Sequence, residues 1–194
     1  MIYAMPAWAA PFSVGFALSF SLILAIGAQN AFVLQQGLMR QHVGALVLFC
    51  AVSDAMLIVV GVGGVAPFMA QWLTAVEQWL FAGAAFWLGV YGLMRGYDAW
   101  RGHDGLQVGA AAQNGLMTTL AMAAVLTFAN PHVYLDTIVL IGTVSLQFED
   151  VAKISFAVGA ATASFVFFTG LGYGAAALSG IMQRENAWRT LDAA

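Results

Sequence analysis

The sequence predicts an all-α polytopic membrane protein, an inverted repeat of three-helix units in which the first helix of each half is broken. Three observations predict it. Of 194 residues, 62% are hydrophobic and only 8% are charged, with a mean hydropathy of +0.86, whereas soluble domains carry roughly 25% charged residues. The apolar stretches are continuous rather than alternating, which suits helices, whose backbone groups bond within the segment, and not a membrane barrel. Helix-breaking polar residues recur on both sides of a polar central stretch, Arg95 to Gly115.

The first span is expected from Phe12 to Leu34, opened by Pro11, a residue suited to a first helical turn. Gly27-Ala28-Gln29-Asn30 interrupt it late. Adjacent carboxamides in such a span face protein or a cavity, because hydrocarbon gives them no partner. After a polar loop with Arg40 and His42, the second span is expected from Val43 to Val65, with Asp54 near its centre, too short a side chain to snorkel. A third, Gln78 to Met94, follows an interfacial turn holding Trp72 and Glu77. Residues 1–94 thus make the first unit, 95–115 a cytoplasmic loop and 116–194 the second unit.

The fourth run, Leu116 to Gln147, is too long for one straight crossing, yet Pro131 would cut it into pieces short of the ~20 residues a bilayer demands. A single tilted helix kinked at Pro131 is expected. Proline has no N–H for the Thr127 carbonyl and crowds it. The freed oxygens then coordinate an ammonium or guanidinium, or are satisfied by the Thr127 or Thr137 hydroxyls. Beyond the turn Phe148 to Lys153, the fifth span is expected from Ile154 to Leu178, polar only at hydroxyls. Its Gly170 and Gly174 form a GxxxG pair suited to close packing, within the chain or in a homo-oligomer.

Charge fixes an orientation and excludes partners. With five spans, Arg40, Arg95, Arg101, Arg184 and Arg189 share one side and Lys153 stands on the other, so the amino terminus is expected outside. A net charge of −3 and the lack of a Lys/Arg run argue against nucleic acid. Cys50 is the lone cysteine and His132 the only intramembrane histidine expected, so neither a thiolate metal site nor a bis-histidine haem can be assembled. No cofactor, metal or enzymatic activity is expected.

Shifting the first segment by 103 residues lays Gly27-Ala28-Gln29-Asn30 over Asn130-Pro131-His132-Val133, and a shift of about 109 lays Gly61 and Gly63 over Gly170 and Gly172. Three spans in the first half make the halves enter the membrane from opposite sides. This is the inverted-repeat plan of many secondary transporters, whose broken helices mark the binding site.

Three motifs in order, Ile26-Gly27-Ala28-Gln29-Asn30-Ala31-Phe32-Val33-Leu34-Gln35-Gln36-Gly37, Ser53-Asp54 and Asn130-Pro131-His132-Val133-Tyr134-Leu135-Asp136, resemble the LysE-type family of bacterial lysine and arginine exporters, most of all its arginine-exporter branch. The resemblance covers roughly residues 12 to 190. It implies an inner-membrane carrier expelling L-arginine or L-lysine, driven by the proton or membrane potential. The family often has proline where this chain has Ala28, so a softer first break is expected here. The resemblance also implies a sixth span beginning near Trp188, which an end at Ala194 would truncate.

Within that frame each polar residue has a candidate role. Asp54 is the counter-ion for the substrate's cationic side chain, or a proton carrier; the plainer alternative is a structural hydrogen bond to a neighbouring helix. Asp136 lies one turn past His132, so the two can form an ion pair or proton relay. Gln29, Asn30 and Asn130 are candidates for the substrate's carboxylate or amino group, and Tyr134 for stacking on a guanidinium. Gly27 and Pro131 break the helices. Two rivals stand beside the carrier. A passive channel with Asn-Pro-Ala half-helices would want two Asn-Pro breaks, and there is one. An intramembrane aspartyl protease using Asp54 and Asp136 would want a Gly-x-Gly-Asp context, which is lacking.

Overall fold

A computed structural model describes residues 6–25, 27–66, 68 and 115–182. The expected third span, nearly all of the central loop and the start of a sixth span near Trp188 lie outside these residues. The described residues form helices only. In chain order they are α1 (Ala9–Ile23), α2 (Ala28–Leu38) and α3 (Val43–Val60), which runs on through a π-helical stretch, Gly61–Val65. Then come α4 (Leu116–Phe128), α5 (Pro131–Tyr134, a π-helical Leu135–Leu140 and Ile141–Ser145) and α6 (Asp150–Met182).

Two of these are long and apolar enough to cross a membrane alone, Val43–Val65 and Asp150–Ser179. The other crossings need pairs: α1 with α2, bent by 82°, and α4 with the helical stretch His132–Ser145, bent by 66°. Two expectations are thereby corrected. The first break is not late, since it separates pieces of 15 and 11 residues, and with Ala28 in place it is the sharper of the two. The fourth run is not one kinked helix; α4 stops and a second helix starts at Pro131.

Helix α6 is the spine on which α1, α2 and α3 pack. At its start the contact is backbone to backbone: a Cβ added to Gly15 would strike the Phe156 carbonyl, and one on Gly159 the Phe12 carbonyl. Farther along, a Cβ on Gly37 would fall 2.6 Å from the Gly172 carbonyl oxygen, and one on Gly172 2.5 Å from Val47 Cγ2. Glycine permits these approaches because lipid supplies no hydrophobic drive between helices, leaving close van der Waals contact to hold them. Both ends are tied as well. The Ser155 hydroxyl donates to the Trp8 carbonyl (2.8 Å), and Arg40 Nε donates to Ala176 O (3.1 Å) and Ser179 Oγ (2.8 Å). The broken pair α1–α2 therefore follows α6 along its length in the same direction.

Gly170 and Gly174, the expected close-packing pair, are exposed and meet nothing within 4 Å among the described residues of the chain. Among the described residues, the glycines of α6 in close contact with a neighbouring helix are Gly159 and Gly172. Nor does the 109-residue shift survive in packing, since Gly61 and Gly172 are tight while Gly63 and Gly170 are open. Gly61 presses on the Thr137 and Ile138 backbone, and Gly142 on Gly61 and Ala66, so α3 and α5 touch through their π-helical ends. Around these crossings one apolar cluster gathers Val33, Leu46, Cys50, Ala51, Ala123 and Phe168, and a second Ile58, Ile141, Phe156 and Ala160. Large apolar side chains such as Met56, Val59 and Val151 point outward, as lipid-facing residues do.

Gly15→Ala and Gly159→Ala should each destabilise the protein by about 1–3 kcal/mol, since the added methyl meets backbone that can yield only by separating helices. Gly170→Ala and Gly174→Ala should leave stability unchanged. Thermal unfolding in detergent separates the two pairs, and equal shifts for all four would contradict the packing described.

Candidate substrate site

Two helix breaks and one carboxylate build the site. At the first break Gly27 adopts an extended backbone (φ −104°, ψ 173°) and its carbonyl accepts from the Ala31 N–H (3.0 Å), starting α2. The last carbonyls of α1 are then without helical partners. Asn30 reaches back to them, its Nδ2 donating to Ile23 O (2.8 Å) and Ala25 O (3.1 Å). At the second break Asn130 Oδ1 accepts from the His132 N–H (3.1 Å), an N-cap, and Pro131 takes the first helical position, where its missing N–H costs nothing. Here Tyr134 reaches back, its phenol donating to Phe128 O (2.7 Å). The 103-residue shift thus lays one N-cap, Gly27, over the other, Asn130.

This geometry gives several candidates other employment. Both amide hydrogens of Asn30, the amide oxygen of Asn130 and the phenol proton of Tyr134 are committed to backbone. Of the two hydroxyls offered for a freed carbonyl, that of Thr127 is wholly buried and has no partner among the described residues, whereas Thr137 Oγ1 donates to Val133 O (2.5 Å). At the break itself Tyr134 meets the Phe128 carbonyl. The restart at the first break rests on extended Gly27, whose carbonyl accepts from Ala31, with Ala28 at the first helical position.

Asp54 is 5% exposed on α3 and lies against the Ser164 hydroxyl of α6, the neighbouring-helix contact that the plainer alternative for Asp54 calls for. One turn earlier, Cys50 lies against Gln29 of α2. No basic side chain pairs with Asp54 among the described residues. Its depth follows from register. Gly61 meets Ile138 and Ala66 meets Gly142, so α3 and α5 run parallel. Counting back equally from Gly61 and Ile138 places Asp54 about level with Pro131, at the second break. The structure therefore brings Asp54, Gln29 and Ser164 together at the depth of a break. Asp136 is half-buried on the π-helical part of α5 beside an exposed His132, farther toward the α6 start. Ser164 escaped the sequence reading. The available signal was a hydroxyl in an apolar helix at the depth of a buried carboxylate.

The profile of the LysE type translocator family matches residues 20–194. The chain belongs to the LysE type translocator family. Members of that family are transporters rather than enzymes, which disposes of the aspartyl protease, and this LysE-type chain is a multi-pass membrane protein. It is 42% identical over 173 residues (89% of this chain, 85% of the relative) to "Putative amino-acid transporter Rv0488" of Mycobacterium tuberculosis. It is 38% identical over 187 residues (94% and 89%) to "Arginine exporter protein ArgO" of Yersinia enterocolitica. A third relative, "Putative amino-acid transporter YggA" of Aeromonas salmonicida, is 37% identical over 180 residues (92% and 86%). No solved structure matches the chain significantly.

Removing Asn30 from the first break should cost more than removing the Tyr134 hydroxyl, since two bonds are lost rather than one, each worth about 1 kcal/mol net. Asn30→Asp, which cannot donate, should be at least as damaging as Asn30→Ala, whereas Tyr134→Phe should be milder. Melting temperatures of the purified variants check that order.

Proposed function

We propose that this LysE-type translocator exports basic amino acids, arginine and lysine, from the cytoplasm, driven by the proton or membrane potential. The observation that carries the reading is Asp54, a buried carboxylate with no basic partner among the described residues, level with a helix break. A carboxylate at mid-membrane costs about 2.5–3.5 kcal/mol on insertion scales. A guanidinium or ammonium beside it offsets that cost, and a neutral side chain does not. The ArgO relative, whose name is that of an arginine exporter, supports the same substrate. Asp136 with His132 offers a second charged station farther along α5, suited to a proton or to the departing cation.

Each half offers a bent pair followed by a long straight helix, which supports two inverted units, 1–94 and 116–194, that rock against each other around Asp54. Arg40 then faces the cytoplasm and Asp150 the outside, with the amino terminus outside.

In liposomes loaded with labelled arginine, Asp54→Asn should lower efflux at least tenfold, and Asp54→Glu should retain part of it. Undiminished efflux from Asp54→Asn would sink the counter-ion role. For orientation, in a Cys50→Ser background, Arg40→Cys should react with an impermeant maleimide only from the cytoplasmic side and Asp150→Cys only from outside.

A further inference from the structure

Helix α2 ends in a turn whose backbone favours glycine. The Gln41 N–H donates to Gln36 O (3.0 Å) and the Arg40 N–H to Gly37 O (2.9 Å), the paired bonds that close a helix on a left-handed residue. That residue is Arg40, at φ 54°. A side chain in this region crowds the neighbouring carbonyl, so glycine is the usual occupant. What arginine adds is reach. Its Nε donates to Ala176 O (3.1 Å) and Ser179 Oγ (2.8 Å) on α6, and the Ser179 hydroxyl donates in turn to Ala176 O (2.7 Å).

What Arg40 fixes is felt at the other end of α2. Because the chain bends by 82° between α1 and α2, the direction of α2 is not inherited from α1. It is set on α6, by Gly37 against the Gly172 carbonyl and by the Arg40 guanidinium one turn on. The glycine contact brings the helices close, while the arginine bonds are directional and oppose rotation of α2 about its axis. About 16 Å back along the helix, α2 carries Gln29, whose amide lies against Cys50, one turn from Asp54. Val33 of α2 packs in the same cluster as Cys50. We propose that Arg40 is a positioning residue for transport: docked on α6, its guanidinium holds α2 so that Gln29 covers Cys50 beside Asp54. This rests on the reading of Asp54 as the centre of the substrate site. Arg40 is exposed, so its bonds compete with water and add little to stability. Their effect is on where α2 points.

Cys50 is the lone cysteine of the chain and 0% exposed, which makes its thiol a reporter of α2. In membranes, Arg40→Gly should raise the rate of Cys50 alkylation by N-ethylmaleimide roughly tenfold, by easing local opening. Its melting temperature should change little, because glycine suits the left-handed backbone and offsets the lost bonds. Ser179→Ala, which removes one of the two acceptors, should raise the rate less, and Arg40→Lys, which keeps a charged donor, should keep part of the protection. In proteoliposomes the KM of Arg40→Gly for labelled arginine should rise on the order of tenfold with little change in Vmax, and in a Gln29→Ala background the same substitution should add little, since both act through one contact. Unchanged alkylation and KM in Arg40→Gly overturn the positioning role, as does a KM effect that adds in full to that of Gln29→Ala. A lower melting temperature with unaltered Cys50 reactivity also overturns it, leaving the arginine a stabilising tie. Faster alkylation of Arg40→Gly, together with no arginine transport by the unaltered protein, overturns the exporter reading alone, because the thiol still reports that Arg40 holds α2.

Discussion

Every backbone carbonyl released inside a membrane must find a donor within the protein, and this constraint governs the architecture. Hydrocarbon offers no water, so a helix can be broken there only where side chains take over from the missing helical bonds. Asn30 and Tyr134 do this at the two breaks, each reaching back from the second helix of its pair to the last carbonyls of the first. The breaks are therefore built features with their own hydrogen bonds.

The two breaks are made by different chemistry. In the first, an extended glycine starts the new helix and a carboxamide caps the old one. In the second, an asparagine starts the new helix, proline occupies its first position, and a phenol caps the old one. A shift by 103 residues accordingly aligns two N-caps while almost no residues match.

Much of this was legible in the sequence. The Val43 to Val65 span, the depth of Asp54 and the pairing of two broken helices follow from runs of apolar residues and from what a membrane does to polar ones. What stayed illegible depended on contacts distant along the chain. Asn30 reads as a ligand group until the Ile23 carbonyl is found against it. Gly170 and Gly174 have the spacing of a packing motif, but the neighbouring helices lie on the faces of Gly159 and Gly172, which no local pattern reveals. Ser164 is one hydroxyl among several in its helix, and only its position across from Asp54 sets it apart.

The glycine seam along α6 sets how near and in what register α1 lies. Where Gly15 meets the Phe156 carbonyl and Gly159 meets that of Phe12, backbone lies on backbone with no side chain locked into a notch. Such a surface strongly resists being pulled apart, since close contact is lost along its length. With the Ser155 hydroxyl on the Trp8 carbonyl and Phe20 set edge-on against Phe167, the seam holds α1 in register along α6 as well as close to it.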